Sequence, residues 1–190
     1  MKITLVRHAQ TEENFKGNMQ GKRNILLNDT GRRQCNNLRL KLKDKKYDYC
    51  YMSPLVRCVE TAFILIGDRV EMIRDDRLIE RELGEYEGRP REEYNAYKYW
   101  DYDLNCDSRG VEPVQDVFKR CKSFLDYISE KHKDESILIV THGSPYRALR
   151  FLIKGTPLKG HLLDTDIPNL MIEEFEYNKI KKFIKKKSLV

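Results

Sequence analysis

The 190 residues carry a formal charge of +6 with 40% hydrophobic residues, which fits one domain around a single buried core better than two. No apolar run is long enough to cross a bilayer, and the opening MKITLV lacks the apolar stretch and small-residue cleavage site of a secretory leader, so a cytoplasmic protein with no membrane partner is expected. The five cysteines, Cys35, Cys50, Cys58, Cys106 and Cys121, are scattered without a Cys-x-x-Cys pair, which argues against a zinc or dithiol centre and for reduced thiols.

In chain order, residues 3–6 form a short apolar strand that gives way to Arg7-His8. Asn28-Asp29-Thr30-Gly31 offers a capping side chain to a helix whose inward face carries Cys35, Leu38 and Leu42. A second strand is predicted at 47–52, followed by Ser53-Pro54, which reads as a helix start with serine as cap and proline at the first helical position. A third strand falls at 70–73. Residues 86–111 hold Tyr94, Tyr97, Tyr99, Trp100 and Tyr102 with Arg89, Arg91 and Lys98, the composition of a small cap insertion that selects substrate or packs on the body. After Glu112-Pro113, the spacing of Val114, Val117, Phe118, Cys121, Leu125 and Ile128 predicts a helix with one core-facing stripe.

The β-branched run 137–140 reads as a buried central strand, and Ser144-Pro145 as another helix start. Residues 170–177 and 180–184 suggest a closing hairpin, whose lysines (Lys179, Lys181, Lys182, Lys185, Lys186, Lys187) read as a solvated edge rather than a polyanion-binding tail. Strands alternating with amphipathic segments predict an α/β three-layer sandwich, a mostly parallel central sheet flanked by helices, in one domain over 1–190.

In such sheets the chemistry collects beyond the carboxyl ends of the strands. Arg7 offers a planar fork for phosphate and His8 a nucleophile. The two helix starts present free amides to anions, bringing Arg57 and His142-Gly143 toward the same edge. Glu80-Arg81-Glu82-Leu83-Gly84-Glu85 is dense in carboxylates and suits a loop holding a proton donor. Each residue also has a plainer role: His8 and His142 as structural histidines, Arg57 paired with Glu60, Glu82 with Arg81, His132 at a solvated helix end, and His161 without a supporting motif. No cysteine is followed by arginine at the Cys-x5-Arg spacing. Asp101-Tyr102-Asp103-Leu104-Asn105 lacks the last residue of an aspartyl phosphotransferase motif, and 155–160 lacks the lysine and hydroxyl of a nucleotide-binding loop. A metal held by His8, His142 and Glu82 would be opposed by the flanking arginines.

Five motifs in order, VRHAQTEEN, MQGKRNILLNDTGRRQ, SPLVRCVETA, RELGEYEG and VTHGSPYRAL, resemble the histidine phosphatase superfamily of phosphoglycerate mutase-like proteins. The resemblance implies His8 as the residue that takes the phosphoryl group, Arg7, Arg57 and His142 on its oxygens, and Glu82 as proton donor. It places Asn14 in the phosphate pocket and Gln20 with Gly21 in a loop bordering the substrate. Ala9 stands where the family more often has glycine. The implied ligand is a small phosphate monoester, hydrolysed with no metal or other cofactor and with no nucleic-acid partner. Broad-specificity, α-ribazole and phosphoserine-type phosphatases are all compatible; the alternatives are mutase-type phosphoryl transfer and a noncatalytic phospholigand-binding module.

Overall fold

The computed structural model describes residues 1–177. Five strands form one sheet in the order β3-β2-β4-β1-β5: β1 (Lys2–Arg7), β2 (Tyr49–Met52), β3 (Glu71–Arg74), β4 (Ser136–Thr141) and β5 (Ile172–Glu176). The pairs β1·β4, β2·β4 and β2·β3 are parallel, and β5 closes the edge antiparallel to β1. The predicted strands are present, shifted by one or two residues. Of the expected hairpin, the first arm is β5; the second, 180–184, and the lysine-rich end lie outside the described residues.

Alternation along the strands sorts the core into two layers. Ile3 and Leu5 of β1, Ile137 and Ile139 of β4, and Tyr51 of β2 pack under α5 (Val114–Lys131) and α6 (Gly143–Lys154). Val6, Leu138, Val140, Cys50 and Met52 point to the other face, under α2 (Asp29–Lys41) and α3 (Val56–Ile66). These side chains are at most 2% exposed, and each fully buried aliphatic residue contributes roughly 1.5–3 kcal/mol. The stripe on α5 is buried as its spacing predicts. In α2, Asn28 accepts from the Gly31 amide at 2.8 Å, the expected cap.

Ser53 does not cap α3. That helix starts at Val56 after Leu55 without a side-chain cap, and the Val56 amide is met by Asn24 Oδ1 at 2.8 Å from a distant loop. Ser53 Oγ instead meets His142 Nε2 at 2.7 Å and the Leu55 amide at 3.3 Å. His132 is likewise not solvated: it is 2% exposed and its Nε2 sits 2.8 Å from the Tyr51 hydroxyl, because α5 ends against the sheet rather than beyond it. The plainer Arg57–Glu60 pairing is absent, since Glu60 pairs with Arg32 at 2.6 Å, leaving Arg57 to other groups.

Two short helices, α1 (Glu12–Lys16) and α4 (Ala96–Tyr99), lie near the carboxyl edge. Around α4, Tyr86, Tyr94, Tyr99 and Trp100 are at most 8% exposed and join the main core, with Tyr94 stacked on Tyr99 at 5.0 Å. Arg81 is wholly buried among them, donating to the Tyr99 carbonyl at 2.9 Å and lying over Trp100 at 5.3 Å. Most aromatics of this segment therefore fasten it to the body. Tyr97 is exposed and faces His161.

Candidate active site

Parallel pairing fixes the centre of the site. Arg7 pairs with Thr141 at the ends of β1 and β4, so His8 and His142 are the next residues on adjacent strands; their rings meet edge-on with centroids 5.1 Å apart. Met52 of β2 pairs with Val140, which brings Ser53 alongside. The His8 amide donates to the Thr141 carbonyl at 2.9 Å and the Ser53 amide to the Val140 carbonyl at 3.1 Å, extending the ladder to the site.

His8 is 2% exposed, with Nδ1 2.7 Å from the carbonyl oxygen of Ala9. A carbonyl only accepts, so Nδ1 carries the proton and Nε2 keeps its lone pair. Burial, then Arg57 and Arg7, hold this imidazole well below the ordinary histidine range, and it is neutral at pH 7. The acceptor that fixes the tautomer is thus the next residue's backbone.

Arg57, fully buried one turn into α3, donates from Nε to His142 Nδ1 at 3.1 Å and from its two terminal nitrogens to the Arg23 and Gly21 carbonyls at 2.7 and 2.8 Å. Since His142 Nδ1 accepts, its Nε2 is the protonated nitrogen and donates to Ser53 Oγ at 2.7 Å. Both ring nitrogens of His142 are therefore engaged by the protein. Burial and then Arg57 keep it neutral too. Arg7 donates to the Ile167 carbonyl, and its pKa is pushed down to about 10 chiefly by burial, which still leaves it charged.

These groups open on a cavity of about 690 Å³ lined by Arg7, His8, Asn14, Gln20, Gly21, Arg57 and Gly143. Asn14 uses Oδ1 to accept from Thr11 and from Asn169 Nδ2, leaving its amide NH2 as the remaining donor. Gly21 has φ +51°, and a Cβ there would fall 1.7 Å from Glu87 Oε1. That same oxygen accepts from the Lys22 amide at 2.8 Å, so Glu87 pins the loop whose carbonyl holds Arg57.

Glu82 and His142 do not line the cavity. Glu82 turns outward to Lys22 at 3.2 Å, with its side chain 39% exposed. The carboxylate that lines it is Glu80, which accepts from the Gly143 and Ser144 amides at 3.1 Å each and from the Arg81 amide at 2.8 Å. Glu80 thus occupies the free amides at the start of α6, which the sequence left open to a ligand. Glu80 and Glu87 are the residues that motif reading passed over; the only signal for Glu80 was its place in the same acidic run.

The sequence matches the histidine phosphatase superfamily (branch 1) over residues 3–188. The chain belongs to this superfamily. It is 35% identical over 159 residues to phosphoglycerate mutase-like protein 4 of Arabidopsis thaliana, covering 77% of this chain and 68% of that protein. It is 31% identical over 165 residues to phosphoserine phosphatase 1 of Hydrogenobacter thermophilus, covering 83% of this chain and 78% of that one. Among solved structures, YhfR of Bacillus stearothermophilus superposes with a TM-score of 0.83 at 29% identity, over 94% of this chain and 92% of that chain. The superfamily's phosphatases and mutase-like proteins are both among its relatives, and the three-layer α/β fold is theirs. No helix of the described residues is long and apolar enough to cross a membrane.

Proposed function

We propose that this chain hydrolyses small phosphate monoesters through a phosphohistidine on His8, without a metal, and that Glu80 rather than Glu82 moves the proton. The observation that supports it most strongly is the tautomer of His8: Nδ1 is tied to the Ala9 carbonyl, which leaves the Nε2 lone pair in a cavity lined by the buried Arg57 and the half-buried Arg7. Nε2 attacks phosphorus, and the bond from phosphorus to the ester oxygen breaks. Charge on the phosphoryl oxygens is met by Arg7, by Arg57 and by the Asn14 amide, already in place before the reaction.

The departing alkoxide takes a proton from the Glu80 carboxyl group. Water then attacks the phosphohistidine, giving its proton back to Glu80 as the nitrogen–phosphorus bond breaks and phosphate leaves. His142 serves as a positioning residue: it holds Arg57 through Nδ1 while Ser53 fixes its own ring. Gln20 and Gly21 border the leaving group, and the 86–111 segment caps it from above.

Measuring phosphate release against isomerisation for several small phosphomonoesters tests this reading. Release with all of them supports it; phosphoryl return to a bound acceptor with little release would assign a mutase, and binding with neither would assign a phospholigand module.

A further inference from the structure

The His8 ring is oriented by a backbone carbonyl, and the position of that carbonyl depends on two rigid peptide planes in succession. The first joins His8 to Ala9. The second joins Ala9 to Gln10 and supplies the oxygen that accepts from His8 Nδ1 at 2.7 Å. In the first plane, the His8 carbonyl accepts from Asn169 Nδ2 at 3.0 Å, and the Ala9 amide donates to Thr61 Oγ1 at 3.1 Å. In the second, the Gln10 amide makes a longer bond of 3.4 Å to Gln34 Oε1. Asn169, Gln10 and Gln34 are half-buried, whereas Ala9 and Thr61 are wholly buried. Water can stand in for a lost partner at the half-buried groups, but the Ala9 amide has only Thr61.

Thr61 lies one turn after Arg57 on α3, and its hydroxyl donates to the Arg57 carbonyl at 2.7 Å. With its proton committed there, the oxygen presents lone pairs to the Ala9 amide. One oxygen atom thus bonds the backbone of the phosphate-binding arginine and the backbone next to the nucleophile. Thr61 does not line the cavity and touches no substrate there.

We propose that Thr61 is a positioning residue for the nucleophile: its hydroxyl sets the His8–Ala9 peptide against α3, which keeps the Ala9 carbonyl on His8 Nδ1 and aims the Nε2 lone pair. This rests on the phosphohistidine reading above and adds a residue outside the cavity on which that chemistry depends. The Arg57 guanidinium does not need this hydroxyl, because His142 and the Arg23 and Gly21 carbonyls hold it. Removing the hydroxyl therefore disturbs attack rather than phosphate binding, and a misplacement of about 1 Å can cost on the order of 10²-fold in rate.

Thr61→Val keeps the shape and removes the hydroxyl, and Thr61→Ser keeps the hydroxyl. With one phosphomonoester, the valine variant is expected to lose about 10- to 100-fold in kcat while the inhibition constant of inorganic phosphate moves by less than about threefold, and the serine variant to recover most of kcat. ¹⁵N spectra of the His8 ring, assigned by its loss in His8→Asn, supply a readout independent of turnover. The parent is expected to show a protonated Nδ1 and an unprotonated Nε2, the valine variant an average of the two tautomers, and the serine variant the parent pattern. If the valine variant does not fold, Thr61→Cys, whose thiol is a weak acceptor, replaces it in each comparison.

Parent values of kcat and of the His8 spectrum in the valine variant overturn the inference. So do equal changes in kcat and the phosphate inhibition constant, or a serine variant as impaired as the valine one. A parent chain without turnover, whose His8 spectrum still shifts in the valine variant and returns in the serine one, overturns the phosphatase reading and leaves the coupling of Thr61 to His8 in place.

Discussion

The Glu80 carboxylate accepts the backbone N–H of Gly143 at 3.1 Å, which joins the acidic loop to the first turn of α6 at the mouth of the site. Glu82, two residues on, makes no such contact and pairs with the half-exposed Lys22.

From that contrast, Glu80→Gln is expected to lower kcat by about 10²- to 10⁴-fold, the usual contribution of a positioned acid. Glu82→Gln, which removes the half-exposed ion pair with Lys22 and alters the contact with Glu87 outside the cavity, is expected to change it by less than about fivefold. Steady-state kinetics on one phosphomonoester compares them directly; a larger loss in the Glu82 variant returns the proton-transfer role to that residue.

Ser53→Ala removes the acceptor of the His142 Nε2 proton while Nδ1 stays occupied by Arg57. A buried donor left without an acceptor costs about 1–3 kcal/mol, which urea unfolding at neutral pH will register. Because His142 orients Arg57, KM for the phosphomonoester is expected to rise as well. An unaltered unfolding midpoint would show that the Ser53–His142 bond contributes nothing.

Stability is expected to fall as the solution is acidified below about pH 6.5. Burial first, and then Arg57, depress the native pKa of both His8 and His142, whereas the unfolded chain protonates them near 6.5. Between the native and unfolded values the unfolded state binds more protons, so acid favours it; above pH 7 neither histidine carries a proton in either state and their contribution is level. Urea midpoints from pH 8 to pH 5 follow this, and His8→Asn should flatten the slope. A midpoint that holds steady across the same range contradicts it.

Hydrolysis is expected to survive prolonged chelation, since the proposed mechanism has arginines rather than a cation meet the phosphoryl charge. Loss of turnover in chelator, restored by a divalent ion, would require a different mechanism.

Much of this was legible from local pattern. His8 and His142 follow strands whose apolar runs are plain in the sequence, and parallel pairing of those strands puts the two rings side by side. The choice between Glu80 and Glu82 was not. They sit two residues apart in a loop outside any helix or strand, where no periodicity fixes side-chain direction, so the pattern cannot tell which one reaches α6. Between them, the Arg81 guanidinium is buried in the aromatic cluster, while Glu80 reaches the amides of α6 and Glu82 pairs with Lys22. Ser53 was misread for a related reason. A serine before proline looks like a cap, but its hydroxyl meets His142, 89 residues away, and only the Leu55 amide nearby, while the first amide of the helix, Val56, is met by Asn24. His132 was misassigned because charged neighbours outweighed the contact with Tyr51, which only the sheet brings within reach.

The most direct measurement is rapid-quench labelling with a ³²P-phosphomonoester. The parent chain is expected to carry acid-labile, alkali-stable label on His8, formed and lost at rates compatible with turnover, and Glu80→Gln to slow both its appearance and its decay. Label absent from the parent during full-speed hydrolysis, or undiminished label and hydrolysis in His8→Ala, would contradict the account.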